Sequence, residues 1–151
     1  MMLIRNVRAD EYKLLSELAI SAKRHWGYPE QWMEIWAPQL TFTPEYFEAH
    51  EGWAAVDGEK PVAFYTLEDK NGIAWLENLW VSPEYIGRGV GKELFHHAVT
   101  LARQRGYKSL QLEADPNATG FYERMGMMKI GGRHSEVDGL PRILPIMEMA
   151  L

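Results

Sequence analysis

Val81-Ser82-Pro83-Glu84-Tyr85-Ile86-Gly87-Arg88-Gly89-Val90-Gly91-Lys92 sets three alternating glycines between a stretch of period two and a stretch of helical period. Ile73 to Val81 reads as a strand. Leu94, Phe95, Ala98, Leu101 and Ala102 form one face of a helix that Gly106 closes. Glycines at such a junction let the backbone take positive φ and approach a ligand closely, while the first N–H groups of the helix point outward unpaired. That arrangement suits phosphate, and Arg88 and Lys92 add positive charge. The alternative is a tight turn carrying solvated basic residues.

Two other phosphate loops do not fit. A Walker A loop needs Gly at Ile86 and Ser or Thr at Glu93. A dinucleotide fingerprint needs a third glycine at Lys92 and a parallel βαβ opening, whereas the strands before this loop read as antiparallel.

Outward from the loop, Trp53–Val56 and Val62–Leu67 are two further strands, joined by hairpin signals at Asp57-Gly58 and Lys70-Asn71-Gly72. Upstream, Leu3 to Arg8 is a first strand, and Asp10 is placed to cap a helix. On that helix Leu14, Leu15, Leu18, Ala19 and Ala22 face inward, with Lys13, Glu17 and Lys23 opposite. Pro29 opens a short helix carrying Trp32, Ile35 and Trp36, which Pro38 ends. Thr43-Pro44-Glu45 starts another, running to about His50. Downstream, Ser109–Ala114 is a strand and Thr119–Met125 a short helix stopped by Gly126. Met127–Gly131 and Ile143–Met149 pair about Asp138-Gly139. A three-strand meander followed by two β-α units predicts an α/β (α+β) domain. Its sheet of about seven strands is mixed and mostly antiparallel, with helices on both faces.

The 151 residues suit one domain, residues 1–151, long enough to bury roughly 70% of the unfolded surface. With 16 Lys and Arg against 21 Asp and Glu the net charge is −5, and no basic stripe invites nucleic acid or an anionic membrane. There is no cysteine, so disulfides, thiolate nucleophiles and Cys-ligated metals are excluded. His25, His50, His96, His97 and His134 are not spaced as a metal triad, so no metal is expected. No apolar run reaches membrane-span length and no signal peptide is visible, which points to a cytoplasmic protein.

Val81-x-Pro83-x-Tyr85-x-Gly87-Arg88-Gly89-Val90-Gly91 resembles the acetyl-CoA pyrophosphate loop of the GNAT superfamily of N-acetyltransferases. Asn117-Ala118-x-x-Phe121-Tyr122-Glu123-Arg124-x-Gly126 is similar to the family's second motif, and Leu144-Pro145-x-Met147-Glu148 to its closing segment. One helix and one strand separate the two motifs, as the family requires. Two positions depart from the pattern. Ile86 stands where Arg or Gln is usual, a modest loss if backbone N–H groups hold the phosphates, and Met127 stands where an aromatic is common.

The resemblance implies acetyl transfer from acetyl-CoA to a primary amine, in a small molecule or a peptide, by direct attack on the thioester. It places acetyl-CoA against Leu79, Trp80, Val81, Ile86, Gly87, Arg88, Gly89, Val90, Gly91, Lys92, Asn117 and Phe121. The Leu79 backbone N–H would polarise the thioester carbonyl, and the Trp80 and Val81 backbone would pair with the pantetheine arm. Asn117, after Asp115-Pro116, is equally a helix cap.

Tyr122 falls on the family's position beside the sulfur. A phenol of pKa ~10 facing a thiol of ~8.5 makes full proton transfer uphill by roughly 2 kcal/mol, so a hydrogen bond to the developing thiolate is its expected contribution. A core tyrosine beside Phe121 is the bland alternative. Glu77, amid Trp75, Leu76 and Leu79, is the candidate base if its apolar neighbours raise its pKa; otherwise it is an edge carboxylate paired with Lys or Arg. Asn78, of opposite parity, serves only the other face. Trp26 and Tyr28, with Trp32 and Trp36, crowd the segment where the family builds its acceptor lid, which also makes a homodimer contact an expectation. Neutralising an alkyl amine of pKa ~10.4 at pH 7 costs about 4.6 kcal/mol, against about 1.1 for a peptide α-amine, so a base points to an alkyl acceptor. The rival function is a non-catalytic GNAT-like module that binds CoA as a sensor or for partner recognition.

Overall fold

The computed structural model describes residues 2–151. Seven strands, β1 (Leu3–Asn6), β2 (Glu51–Asp57), β3 (Lys60–Lys70), β4 (Ile73–Val81), β5 (Ser109–Glu113), β6 (Met128–Val137) and β7 (Leu140–Ala150), form one sheet in the order β1-β2-β3-β4-β5-β7-β6. Every neighbouring pair is antiparallel except β4 and β5. The helices are α1 (Tyr12–Arg24), α2 (Glu30–Trp36), α3 (Pro44–Ala49), α4 (Val90–Gln104) and α5 (Thr119–Arg124).

Two apolar layers sandwich the sheet. On one face Leu94, Phe95 and Ala98 of α4 pack with Tyr122 of α5 against Tyr65, Leu76 and Leu110. On the other, Leu15, Met33, Trp36 and Phe47 of α1 to α3 pack against Ala54 and Phe64. Phe64 and Tyr65 are adjacent and fully buried, one in each layer, as strand alternation requires. Asn71-Gly72 and Asp138-Gly139 take positive φ at both residues, the geometry of two-residue hairpin turns.

Among the boundaries that differ from the sequence reading, three do so for a local reason. α1 begins at Tyr12 after a single 3-10 turn over Ala9–Glu11. Glu11, not Asp10, secures that entry: its carboxylate accepts from the Arg8 N–H at 2.8 Å and pairs with Arg5 at 2.7 Å. Pro38 does not simply end a helix but sits inside a further 3-10 turn, Ala37–Leu40. The last hairpin is longer than its Gly and Pro content predicts, because β6 and β7 pair along their length to Val137 and Leu140. Among the described residues no helix is long and apolar enough to cross a membrane.

β4 organises the middle of the sheet. It pairs with β3 throughout, but with β5 only at Ala74–Leu110 and Trp75–Gln111, and beyond those residues the two strands part. β4, α4 and β5 therefore do form a parallel βαβ unit, so Lys92 in the third glycine's place is the surviving ground against a dinucleotide loop. Opposite β3 the register slips: Thr66 faces Asn78 and Leu67 faces Leu76, leaving Glu77 bulged. A bulge flips the parity of everything after it. Leu76 and Leu79 consequently share the α4 face, while Trp80 joins the opposite layer.

Candidate active site

Two cavities meet where β4 and β5 separate. One, of about 460 Å³, runs from the glycine loop past Leu79, Val81, Phe121 and Tyr122. The other, of about 490 Å³, lies towards α1 and α2 and is walled by Trp36, Phe42, Tyr46, Lys23 and Arg142 among others. Glu77, Asn78, Trp80, Glu113 and Asp115 line both.

The loop has the conformation its glycines anticipate. Gly87 and Gly89 hold φ of +83° and +80°, and Gly89 is the left-handed residue from which α4 starts. No other atom lies within 4 Å of where a Cβ would sit on either, so the backbone is bare towards the cavity. Leu79, Trp80, Val81, Ile86, Gly87, Gly89, Val90, Gly91, Lys92 and Phe121 all line this cavity. Arg88 does not; its guanidinium lies 4.8 Å above the Tyr85 ring. Ile86 is 48% exposed, an isoleucine on an open rim. Met127 is buried, in keeping with a packing role.

Tyr122 on α5 lines the cavity with its ring packed against Phe121 and Phe95. Among the described residues nothing hydrogen-bonds its hydroxyl. Burial, and secondarily the charge of Asp115, pushes this phenol above its ordinary value, so it is a persistent donor.

Glu77 takes the second of its two expected settings, a carboxylate paired with a lysine. The bulge swings it out of the apolar row, and its carboxylate pairs with Lys70 Nζ at 3.0 Å with 38% of the side chain exposed. Lys70 in turn lies over the Trp75 ring. Asn78 serves the other face, as its parity predicts, and while lining both cavities it knits a network there. Its Nδ2 donates to Tyr46 Oη at 3.0 Å and Thr66 Oγ1 at 2.9 Å, and its Oδ1 accepts from Trp80 Nε1 at 3.1 Å. Desolvation raises the pKa of Tyr46.

The expected acceptor residues separate. Trp26 lines the loop-side cavity and is 44% exposed. Tyr28 lines neither cavity and is instead part of a polar knot. Its hydroxyl meets both Asp115 oxygens at 2.9 Å and accepts from Arg142 Nη2 at 2.7 Å and Asn117 Nδ2 at 2.9 Å. Burial and the Asp115 charge push Tyr28 up to about 12. Asn117 faces this knot too, and the cap at that turn is made by Asp115, whose carboxylate accepts from the Asn117 N–H at 2.9 Å.

Lys23 is the residue the sequence reading misplaced. Helical parity puts it opposite the apolar face, but its side chain is only 13% exposed, 3.9 Å from Asp115 and 3.9 Å from the Trp36 ring centre. Burial pushes it down to about 8, Asp115 opposing and Arg142 assisting. Asp115, Arg142 and Tyr46 carried no local motif for this cluster, since Tyr28, Asp115 and Arg142 meet one another, and Tyr46 meets Asn78, across 27 to 114 positions of the chain. Among the described residues no cluster of His, Asp or Glu is placed to hold a metal ion.

The fold has known counterparts. Residues 13–127 match the acetyltransferase (GNAT) family, and the chain belongs to that family. It is 38% identical over 98 residues to the peptidyl-lysine N-acetyltransferase YjaB of Salmonella typhimurium, covering 64% of this chain and 62% of that protein. The Escherichia coli YjaB is 33% identical over 99 residues, covering 65% and 62%. The chain thus spans about three fifths of the length of these relatives. Among solved structures, a GCN5-related N-acetyltransferase from Rhodopseudomonas palustris superposes with a TM-score of 0.85 at 22% identity, over 100% of this chain and 96% of that one. The PaiA N-acetyltransferase of Thermoplasma acidophilum, in complex with coenzyme A, gives 0.77 at 21% identity, over 100% and 99%.

Proposed function

We propose that this protein is an N-acetyltransferase that moves an acetyl group from acetyl-CoA to a primary alkyl amine by direct attack on the thioester. The observation that carries the reading is the junction of two cavities across the gap between β4 and β5, one floored by the glycine loop and the other walled by side chains. Two substrates entering from opposite faces of the sheet would meet there.

The loop fits a pyrophosphate. Bare glycine backbone and the first N–H groups of a 15-residue helix converge on it, and Lys92 adds charge. Leu79, Val81 and Phe121 offer an apolar wall to a pantetheine arm. Bound acetyl-CoA supplies a thioester carbonyl open to an amine and a thiol as leaving group.

The chain's own groups then divide the work. The Leu79 N–H polarises the carbonyl, and the Trp80 and Val81 backbone holds the arm. Tyr122, neutral and with no hydrogen-bond partner among the described residues, donates a hydrogen bond to the departing sulfur. Its raised pKa makes outright proton transfer still less favourable than for a free phenol. Glu77, reached through water and shared with Lys70, takes the proton lost by the amine. The relatives named for peptidyl-lysine acetylation carry an acceptor of the same alkyl type.

Thiol release from acetyl-CoA, followed against a panel of amines between pH 7 and 9, tests the proposal. Amine-dependent release is expected. Acetyl-CoA binding without such release for any amine would identify a CoA-binding module instead.

A further inference from the structure

We infer that the α1-side chamber takes an amine that also bears a carboxylate, a free amino acid with a large apolar side chain, and that Lys23 and Arg142 hold that carboxylate. The inference rests on the acetyl-transfer reading and names its acceptor.

Lys23 comes from the last turn of α1 and Arg142 from β7, and each side chain is 13% exposed. Both line the chamber. A single carboxylate, Asp115, lies between them, 3.9 Å from Lys23 and 3.3 Å from Arg142. Within this trio two cations face one anion, while Glu77, Glu113 and Glu136 also line the chamber, Glu77 and Glu113 being paired outside the trio with Lys70 and Arg133.

The hydrogen bonds point the same way. Asp115 already accepts from Tyr28, Arg142 and Asn117. Lys23 Nζ, at 3.9 Å from Asp115, is outside hydrogen-bond reach and has no donor contact among the described residues. Arg142 uses only Nη2, leaving Nε and Nη1 without protein acceptors. No buried side-chain nitrogen or oxygen in the described residues lacks a partner, so these nitrogens open onto accessible space. The ammonium has lost water without gaining an acceptor, and its pKa of about 8 reflects that. A ligand carboxylate would supply the acceptor and the missing charge together.

Position fixes the kind of carboxylate. Asp115 lines both cavities, so the two cations stand beside the junction where the amine must react. Anion and amine must therefore be close on the acceptor, as on an α-carbon. Beyond the junction, Ile35, Trp36, Leu40 and Phe42 present an apolar wall, suited to a large apolar substituent. Glu77 and Glu113 line the junction too, each shared with a cation, and favour an ammonium approaching there. A plain diamine would set its second charge against Lys23 or Arg142.

The test compares phenylalanine, leucine and methionine with their decarboxylated amines and with a lysine-containing peptide blocked at both ends. The full-length protein is used, at saturating acetyl-CoA. The amino acids should exceed their decarboxylated amines in kcat/KM by roughly ten- to hundredfold, the scale of a charge-assisted hydrogen bond. Lys23→Met and Arg142→Gln should each collapse that ratio, chiefly through KM. Equal or better use of the decarboxylated amines or the blocked peptide, or a ratio untouched in both variants, would overturn the inference. Calorimetric binding of the same amino acids to the CoA-loaded protein separates it from the parent reading. Binding weakened by Lys23→Met without any turnover keeps the carboxylate site and removes the transferase, whereas no amino-acid binding removes the site itself.

Discussion

The two cavities that meet between β4 and β5 are made of different material. The phosphate end of the loop-side cavity is largely backbone, since Gly87, Gly89 and Gly91, the start of α4 and the edge of β4 come from residues 79 to 92, one uninterrupted run, while Trp26, Phe121 and Tyr122 wall the rest. The α1-side chamber is side chains, and its charged core alone draws Lys23 from α1, Asp115 from the turn after β5 and Arg142 from β7. A site made of backbone is written in glycine spacing and tolerates change in most side chains around it. A site made of distant side chains depends on every partner, and its specificity can shift while the fold stays.

Four substitutions probe that contrast, beginning with the largest effect. Asp115→Ala leaves two mostly buried cations facing one another, a loss of about 3 to 5 kcal/mol. The melting temperature should fall by roughly 10 °C for a chain of this size. The rise induced by acetyl-CoA, measured from that lower starting point, should persist. Its disappearance would mean the two cavities are one energetic unit.

Tyr122→Phe removes a single hydroxyl from the loop-side cavity. Turnover should drop by about 10², with acetyl-CoA affinity retained. Because burial raises this phenol, it remains protonated up to and beyond pH 10, and the wild-type profile should show no alkaline loss from it below that point. Steady-state rates across pH in both forms decide this. Unchanged turnover would make Tyr122 a core residue.

Saturating acetyl-CoA at ~100 times its Kd should add about 2.7 kcal/mol, seen as roughly 5 to 10 °C in Tm. Gly89→Asp should abolish that rise by setting a negative side chain against the phosphates. Asp also carries the strain of a left-handed position, about 1 to 2 kcal/mol, so the variant's own Tm should fall slightly. A full ligand-induced rise in this variant would remove the loop from the donor site.

Glu77→Gln should have the smallest effect, about tenfold near neutral pH, because the carboxylate is exposed and shared with Lys70. The rate should recover as pH approaches the acceptor's own pKa. Parallel profiles of the second-order rate constant in both forms would leave Glu77 with orientation alone.

What the sequence made legible follows the same division. Period-two and helical runs located all seven strands, and the strand from Ile73 to Val81 was placed to the residue. Thr43-Pro44-Glu45 marks a helix start, and there the Thr43 side chain accepts from the Tyr46 N–H at 3.2 Å. The loop lining was legible because glycine spacing encodes backbone conformation directly. Lys23, Asp115 and Arg142 were not, because helical parity assigns a lysine to water unless a distant aromatic such as Trp36 covers it. Glu77 leaves the apolar row for another reason, since strand parity assumes an unbroken register and the bulge opposite Thr66 breaks it, while Asn78 keeps the face opposite Leu79, beside Tyr46 and Trp80.

The slender join between β4 and β5 has a mechanical consequence. Two residue pairs hold a four-stranded plate to a three-stranded one, and past them β4 presents backbone groups to a gap rather than to a neighbour. A pantetheine arm, itself a chain of amides, would act there as a temporary eighth strand. The sheet then behaves as a seam that the donor stitches and its departure as CoA unpicks. Amide exchange at Leu79 to Val81 should accordingly slow on donor binding and quicken on product release, reporting the catalytic cycle from within the fold.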